Sequence, residues 1–368
     1  MNGVGARRLT RDAVQIGGTV LAGLAAALLA DAGGLPLPWL LAPLLTVGAM
    51  SLAGAPTAAV PFGRRVGQAV IGTAIGLYLN PGVVEEMLAL LPVMMAVAGL
   101  SIAISIAIAA LAAARAGFGL ATAYFACMPG GVAEMAGLGR QYGADEATVA
   151  ILQSLRIAVV VTVMAPAVAL LAEHGRGGAA AGLPDVHWPE LVVLLSAAGL
   201  LSALLERFSV PNAWMLGGLA SGAATAALAL PLSGMPGVLV SAGQLLVGCA
   251  LGTRFKPDLM RGGARLAATG LLIMAGLLLG GIVLGLAAAA LTGMAPAVLL
   301  LATAPGGITE MSITAKVVGL PVATVVAFHL VRIVTVVLAS APLYRLLMRI
   351  RPAGDRRLHR GGPDAPHR

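Results

Sequence analysis

Long apolar stretches follow one another along most of this chain, separated by short polar segments or segments that contain Gly and Pro. One set precedes a hydrophilic segment over residues 173–190, and a second set follows it. Stretches of this length and composition are typical of helices that cross a membrane. The first set lies at about 13–30, 37–55, 66–80, 89–114, 119–138 and 147–172, and the second at about 191–205, 212–232, 237–253, 266–291, 295–314 and 321–348.

This pattern predicts an all-α polytopic membrane protein built in two halves. The first apolar stretch follows Arg7, Arg8 and Arg11 and so resembles a signal peptide. The second half has an equivalent stretch at 191–205, however, and we therefore interpret it as the first span. The predicted organisation is a first transmembrane repeat over 1–172, a linker over 173–190, a second transmembrane repeat over 191–349, and a disordered basic tail over 350–368.

The two halves share polar and proline positions at one fixed spacing. Arg332 lies 176 residues after Arg156, and Pro342 lies 176 residues after Pro166. Glu134 and Glu310 have the same separation, which extends over about a hundred residues without an insertion. This agreement indicates an internal duplication.

In each half, a Pro-Gly-Gly sequence followed by a glutamate interrupts one apolar stretch. Proline removes a helix hydrogen bond and glycine loosens the backbone, so each stretch is predicted to be a broken helix. In lipid, the freed backbone groups need protein, water or a ligand. Exposed N–H groups favour an anion, and a buried carboxylate favours a cation or a proton. The candidate binding residues of these segments are Pro129, Gly130, Gly131 and Glu134 in the first half and Pro305, Gly306, Gly307, Thr309 and Glu310 in the second.

Two arginines, Arg156 and Arg332, follow the broken segments. Each lies about ten residues into an apolar stretch, and a rise of roughly 15 Å places it near the bilayer centre. We expect each guanidinium to pair with the glutamate of a Pro-Gly-Gly segment, since an unpaired charge is costly there. A structural salt bridge and a substrate contact both stay open. Gln153 and His329, one turn earlier, are predicted to face the same cavity, although His329 also fits a packing role.

Composition supports a membrane protein and argues against several other classes. The chain is 59% hydrophobic and 10% charged, whereas soluble domains contain about 25% charged residues. Its net charge of +8 comes from arginines at segment ends and in the tails, which is the positive-inside pattern rather than a nucleic-acid surface. Cys127 and Cys249 lie in apolar stretches, and the five histidines form no spaced ligand cluster. We therefore expect no disulfide, metal, cofactor or catalytic residue.

Charge also predicts how the halves are oriented. We place the basic N-terminus in the cytoplasm. If each Pro-Gly-Gly segment enters and returns to the same face, the loop with Arg254, Lys256, Arg261 and Arg265 also lies inside, as does the tail. If every segment crosses, that loop lies outside. The first arrangement gives two inverted repeats with about ten transmembrane helices and two re-entrant or broken helices that enter from opposite faces.

At these residues the sequence resembles the AbrB-type membrane protein family, also called the AbrB duplication proteins. The resemblance rests on Pro129-Gly130-Gly131 with Glu134, its repeat at Pro305-Gly306-Gly307 with Glu310, and the downstream arginines, over roughly residues 13–349. Family members are often labelled putative ammonia monooxygenase or regulator of gene expression. The family is distinct from the small DNA-binding AbrB regulators, and no copper-ligand set supports the monooxygenase label.

The leading functional hypothesis is a secondary transporter or exporter of a small anionic metabolite in the bacterial inner membrane, working by alternating access. Its expected partners are a small-molecule or ion substrate and the bilayer, with no nucleic acid, and homo-oligomer formation stays open. The alternative is a membrane sensor that influences gene expression indirectly. An ammonia monooxygenase-type enzyme is the least favoured hypothesis.

Overall fold

The computed structural model describes residues 3–35, 37–77, 79, 85, 87–116, 119–171, 186–210, 212–228, 233–255 and 263–350. Within these ranges, the regular secondary structure is α-helical. Residues 173–185 of the predicted linker and the tail from 351 onward lie outside the described residues, as do Lys256 and Arg261 of the basic loop.

The helices of the two halves correspond in order. The short helices Leu120–Cys127 and Pro296–Thr303, and likewise Val132–Gln141 and Ile308–Val317, match residue for residue at the spacing of 176. In the first half the helices are α1 (Gly3–Ala32), α2 (Pro38–Leu52), α3 (Gly63–Gly76), α4 (Leu91–Ala116), α5 (Leu120–Cys127), α6 (Val132–Gln141) and α7 (Glu146–Leu171). In the second they are α8 (Trp188–Arg207), α9 (Ala213–Ala227), α10 (Gly237–Gly252), α11 (Gly263–Thr292), α12 (Pro296–Thr303), α13 (Ile308–Val317) and α14 (Val322–Ile350).

Six helices in the described part of the chain are long and apolar enough to cross a membrane: α1, α4, α7, α8, α11 and α14. Two shorter apolar helices, α2 and α10, accompany them. Many large apolar side chains on these helices are exposed, including Leu170, Leu200 and Leu272. Large apolar side chains exposed on long apolar helices suit a lipid environment, as in a membrane protein.

The helices pack as two bundles. The first bundle contains α1, α2 and α3 together with their counterparts α8, α9 and α10. The second, which we call the hairpin bundle, contains α4 to α7 and α11 to α14. Among the described helices, the principal contacts between the bundles are those of α13 with α3 and of α2 with α7. Each bundle therefore draws equally on both halves of the sequence.

Within the first bundle, helices of one half pack against helices of the other. Gly72 of α3 lies against the Met215 carbonyl of α9, and Gly76 lies against the Leu219 carbonyl, so α3 and α9 run in the same direction. Small residues permit this close approach of backbones, which membrane helices use in the absence of a hydrophobic drive between them.

The equivalent contact occurs between α10 and α2. Gly248 lies against the Leu40 carbonyl and Gly252 against the Leu44 carbonyl, so these two helices are also parallel. The helices α3 and α10 meet at Gly67, where a Cβ atom would lie 2.5 Å from the Gly243 carbonyl oxygen. These two glycines occupy equivalent positions in the two halves.

Candidate functional site

Each Pro-Gly-Gly segment forms a helix, a break and a second helix, and the prediction of broken helices is confirmed. In the first hairpin, α5 ends at Cys127 and α6 begins at Val132. In the second hairpin, α12 ends at Thr303 and α13 begins at Ile308. Both breaks adopt extended backbone at the residue before the second helix. Each break therefore exposes carbonyl groups of one helix and N–H groups of the next.

The first hairpin returns to the level at which it started. The backbone N–H of Asp145, just before α7, donates to the Thr122 hydroxyl in the first turn of α5 at 3.0 Å. The rings of Phe125 and Tyr142 stack with centroids 5.8 Å apart, which joins α5 to the end of α6. The start of α5 and the end of α6 are therefore neighbours.

Two side chains of α7 hold the carbonyl end of α5. Arg156 donates from its two terminal nitrogens to the carbonyls of Met128, at 2.7 Å, and Gly130, at 2.9 Å. The Gln153 amide donates to the carbonyls of Phe125, at 2.8 Å, and Met128, at 2.9 Å. A cation at a helix C-terminus is stabilised by the unsatisfied carbonyls and the negative end of the helix dipole.

The second hairpin repeats this network at the equivalent residues. Arg332 of α14 donates to the carbonyls of Ala304, at 2.5 Å, and Gly306, at 2.7 Å. His329 Nε2 bonds the Leu301 carbonyl at 2.9 Å, and its Nδ1 lies 2.7 Å from a terminal nitrogen of Arg332. Because the carbonyls are bound in the same way in both halves, the network is a property of the repeat and not of one hairpin.

Arg156 and Arg332 bind hairpin carbonyls in place of the expected ion pairs with Glu134 or Glu310, although the Arg156 charge still interacts with Glu310 at longer range. No ion pair between these groups occurs in the part of the chain that the structure describes. The sequence pattern placed the arginines and glutamates in one region and so suggested ion pairs. In the structure, the carbonyl ends of α5 and α12 lie closer to the guanidinium groups than the carboxylates do and offer several acceptors. Gln153 and His329 likewise face these carbonyls and do not line the larger cavity described below.

The two glutamates occupy the opposite side of each break. Glu134 and Glu310 lie in the first turns of α6 and α13, as predicted. A Cβ atom added at Gly131 would collide with the Glu134 carboxylate, and one added at Gly307 would collide with that of Glu310. Both carboxylates therefore fold back over the glycine at the positive end of the helix dipole.

The tips of the two hairpins face each other. Pro129 of the first and Pro305 of the second border one small cavity of about 20 Å³, which Arg332 also lines. This volume is comparable with the space that a single water molecule needs. Thr309, the remaining predicted binding residue, is buried in the first turn of α13.

A larger cavity of about 790 Å³ lies between the two bundles, near the start of α3 and the end of α10. From the hairpin bundle it is lined by Gly131, Val132 and Glu134. The matching carboxylate, Glu310, is only 3% exposed. The two predicted glutamates are therefore inequivalent in this structure, since one reaches the cavity and the other is enclosed.

The other wall of this cavity contains residues that the sequence reasoning did not place in the site. They come from the first bundle, and the list includes Arg64, Arg65, Gln68, Glu206, Asn212, Trp214 and Arg254. Arg65 forms an ion pair with Glu206 at 2.6 Å, and the Trp214 indole N–H donates to Glu206 at 3.1 Å. The sequence interpretation used the arginines at segment ends only as topology signals. The sequence around an arginine at the end of a helix does not show whether a cavity lies beside its side chain.

Arg64 and Arg254 are the cations of this cavity that form no ion pair with another described residue. The Arg64 Nε atom is buried without a hydrogen-bond partner. Arg254 follows α10 in a turn, and burial, together with the nearby Arg64 charge, lowers the pKa of its guanidinium to about 10. It therefore remains cationic at neutral pH. Among the residues that the structure describes, no three His, Cys, Asp or Glu side chains lie together in a way that could hold a metal ion.

Comparison with known proteins finds a matching family model and a curated relative. The family model described as Transition state regulatory protein AbrB matches residues 39–348. A curated relative, the Uncharacterized protein YhjN of Bacillus subtilis (strain 168), is 26% identical over 246 residues. That match covers 62% of this chain and 64% of the relative, so it spans less than two thirds of the relative's length. The family match includes both hairpins and most of both bundles, and the chain therefore belongs to the AbrB family.

Proposed function

We propose that this protein is a secondary transporter that moves a small anionic metabolite across the bacterial inner membrane by alternating access. The observation that carries the proposal is the contrast between two equivalent carboxylates. Glu134 borders a cavity of about 790 Å³, whereas Glu310 is 3% exposed. A duplicated site with one member open and the other enclosed is what one end state of an alternating-access cycle requires.

The packing of the first bundle supports two inverted repeats. The start of α3 and the end of α10 lie at the same cavity, because Arg64 and Arg254 both line it. These helices are equivalents, so their halves run in opposite directions through the membrane. The exchange of partners, α3 with α9 and α10 with α2, fits a pseudo-two-fold axis in the membrane plane near Gly67 and Gly243.

The proposed topology has ten transmembrane helices and two re-entrant hairpins. The contact of Thr122 with Asp145 supports entry and exit of the first hairpin on one face. By the inverted relation of the repeats, the second hairpin enters from the other face. The four helices α2, α3, α9 and α10 have only 14 to 16 residues, so they cross a locally thin region of the bilayer. With the arginine-lined cavity facing the cytoplasm, the basic N-terminus and tail lie there too.

Movement of the hairpin bundle against the first bundle provides the alternation. The cavity lies between the bundles, so a shift of one against the other closes it around Glu134 and opens its counterpart around Glu310. Arg156 and Arg332 hold each break together during this movement by binding its carbonyls. Because these contacts stay within one bundle, they need not break in the cycle.

Glu134 and Glu310 are the proposed sites of the coupling ion. Each carboxylate lies at a helix N-terminus near the bilayer centre, where a proton or a Na⁺ neutralises it at low cost. The anionic substrate enters the same cavity. Binding of the two together removes net charge from a region of low dielectric constant, which favours the passage of the loaded site.

Chemical accessibility tests the alternation directly. Cys127 and Cys249 are both buried, so a background in which they are serine allows single reporter cysteines. In inside-out membrane vesicles, Glu134→Cys should react with a charged, membrane-impermeant maleimide, whereas Glu310→Cys should not. In right-side-out vesicles we expect the reverse: Glu310→Cys should react as the protein samples its other end state, and Glu134→Cys should react less. Labelling of both positions from one side only would refute alternating access.

Flux measurements test the transport itself. Metabolite profiles of cells with and without the protein identify the anion whose level changes, and that anion is then followed in proteoliposomes. The wild-type protein should produce flux that depends on a proton or Na⁺ gradient, and Glu134→Gln with Glu310→Gln should abolish the dependence. Gradient-dependent flux at the wild-type rate in this double variant would remove the carboxylates from the mechanism. Binding without any flux would favour a membrane sensor instead.

A further inference from the structure

The cavity between the bundles has more positive than negative side chains. Its lining contains three arginines, Arg64, Arg65 and Arg254, and two glutamates, Glu134 and Glu206. Arg65 and Glu206 neutralise each other through their 2.6 Å ion pair. What remains on the lining is the pair Arg64 and Arg254 opposite Glu134, while the enclosed Glu310 interacts with both arginines from behind the wall without forming an ion pair.

We infer that Arg64 and Arg254 form the anion-recognition site of this cavity, and that its ligand is a small organic carboxylate with an apolar body. This inference rests on the proposed function and names the residues and the substrate class that the function leaves open. The two guanidinium groups come from different halves of the chain, one from the first turn of α3 and one from the turn after α10. A bound carboxylate between them would relieve the repulsion of two neighbouring cations.

Arginines at helix ends are often only topology determinants, but these two are placed differently. A topology arginine is solvated, and its charge acts on insertion of the chain. The Nε atom of Arg64 is instead buried without a partner, and Arg254 is buried enough to lower the pKa of its guanidinium to about 10. Arg64 and Arg254 are half-buried, and cations partly withdrawn from water are stabilised by a charge or hydrogen-bond partner. A ligand anion provides one.

Neither Arg64 nor Arg254 has an arginine at the equivalent position of the other half. The residue 176 positions after Arg64 is Val240, and the residue 176 positions before Arg254 is Tyr78. By contrast, Arg156 and Arg332 are both retained at their equivalent positions, where they bind hairpin carbonyls. Arginines that maintain the fold therefore occur twice, whereas Arg64 and Arg254 belong to one end of the molecule.

The breaks themselves are less suitable for the anion than the sequence suggested. The N-terminal ends of α6 and α13 are covered by Glu134 and Glu310, since a Cβ on the preceding glycine would collide with each carboxylate. The carbonyl ends of α5 and α12 are occupied by Arg156 and Arg332. Both ends of each break thus have a partner within the protein, whereas Arg64 and Arg254 line the cavity without an ion pair to another described residue.

Cavity size and wall chemistry identify the ligand class. A volume of about 790 Å³ far exceeds the space of an inorganic anion and falls in the range of small-molecule sites. The lining also includes apolar groups, among them Val60, Val132, Ala213 and Ala250. Arg65 stacks over the Phe62 ring, at 5.0 Å from its centroid, so an aromatic surface also lies at the rim. These walls fit an organic body attached to an anionic group.

Isothermal titration of the purified full-length protein tests the site with four probes: benzoate, succinate, inorganic phosphate and the neutral amide benzamide. We expect benzoate or succinate to bind at least tenfold more tightly than phosphate or benzamide. Arg64→Gln and Arg254→Gln should each weaken this binding by at least tenfold, and Arg64→Lys should weaken it less because it keeps the charge. Arg140→Gln is the matched control, since Arg140 is an exposed arginine outside the cavity that pairs with Glu146 at 3.5 Å.

The possible results separate this inference from the proposed function. Equal binding of benzoate and benzamide, absence of binding by both carboxylates, or unchanged binding in both glutamine variants would overturn the anion site. Tighter binding of phosphate than of either carboxylate would overturn the organic ligand class. Size-exclusion profiles and thermal midpoints identify misfolded variants. If a glutamine variant misfolds, Arg64→Lys tests the site instead, because it keeps the charge and should weaken carboxylate binding only partly. Carboxylate binding that depends on the arginines, without flux in proteoliposomes, would keep the site and refute the transporter.

Discussion

Replacement of Arg156 by methionine tests whether the guanidinium stabilises the hairpin break through carbonyls. The side chain donates two buried hydrogen bonds, of 2.7 Å and 2.9 Å, to Met128 and Gly130. Arg156 itself is 2% exposed, so water cannot replace these bonds in the folded protein. Methionine preserves much of the volume and removes both donors.

The expected loss follows from the two bonds. Hydrogen bonds between helices in membrane proteins contribute about 0.6 kcal/mol on average and up to about 1.7 kcal/mol. Charge-assisted bonds are roughly twice as strong as neutral ones, so two of them correspond to about 2–4 kcal/mol. Arg332→Met should cost at least as much, because Arg332 also contacts His329 at 2.7 Å.

The free energy of unfolding can be measured by titration of the protein in mixed micelles with SDS, with tryptophan fluorescence as the signal. Glu134→Gln should cost less than about 1 kcal/mol, the value of one charge at a helix N-terminus. Arg140→Met controls for the loss of an exposed arginine and should cost at most about 1 kcal/mol.

A double-mutant cycle between Arg156→Met and Glu134→Gln decides between carbonyl binding and an ion pair. The structure predicts nearly additive losses, since the two side chains form no ion pair. Equal losses in both single variants, with no further loss in the double variant, would show that the two charges are partners and would refute the carbonyl assignment.

Two further predictions concern glycines, each with a control. Gly131→Ala should lower transport by about fivefold, since its Cβ displaces the Glu134 carboxylate and forfeits about 1 kcal/mol; its φ of −73° suits alanine, so the backbone is not strained. Gly137→Ala in the same helix meets nothing within 4 Å and should leave the rate unchanged; equal rates in both variants would contradict the prediction. Gly67→Ala should lower the thermal midpoint, because its Cβ would lie 2.5 Å from a carbonyl oxygen of α10, whereas Gly199→Ala should not. A Gly67→Ala variant as stable as the wild type would refute the close helix contact.

Much of the fold was accessible from the chain because bilayer physics acts on local composition. A membrane helix must satisfy its backbone internally and present apolar side chains, so hydropathy alone located the long helices. Proline and glycine at positions 129–131 and 305–307 predicted the breaks within about a residue, because their effect on a helix is local. The duplication was visible for the same reason, since matching helices need matching breaks.

Partners of charged groups were harder to predict. The sequence pattern placed Arg156 and Glu134 in one region and suggested an ion pair, but backbone carbonyls are invisible in a sequence. Every residue has one, so nothing in the letters marks the carbonyls of Met128 and Gly130 as unsatisfied until the break is placed in three dimensions. The cavity arginines Arg64 and Arg254 were missed in a related way, since a helix-end arginine has the same local signature whether it faces water or a cavity.

The sequence by itself determined the membrane environment, the duplication, the two broken helices and the residues that lie at the breaks. Those properties depend on local composition and on spacing along one chain. Only the tertiary structure decided that helices exchange partners between the halves, that Glu134 is open while Glu310 is enclosed, and that one cavity joins arginines 190 residues apart. Which groups meet, and which are shielded from water, depends on the packing of segments distant in sequence, and no local pattern encodes it.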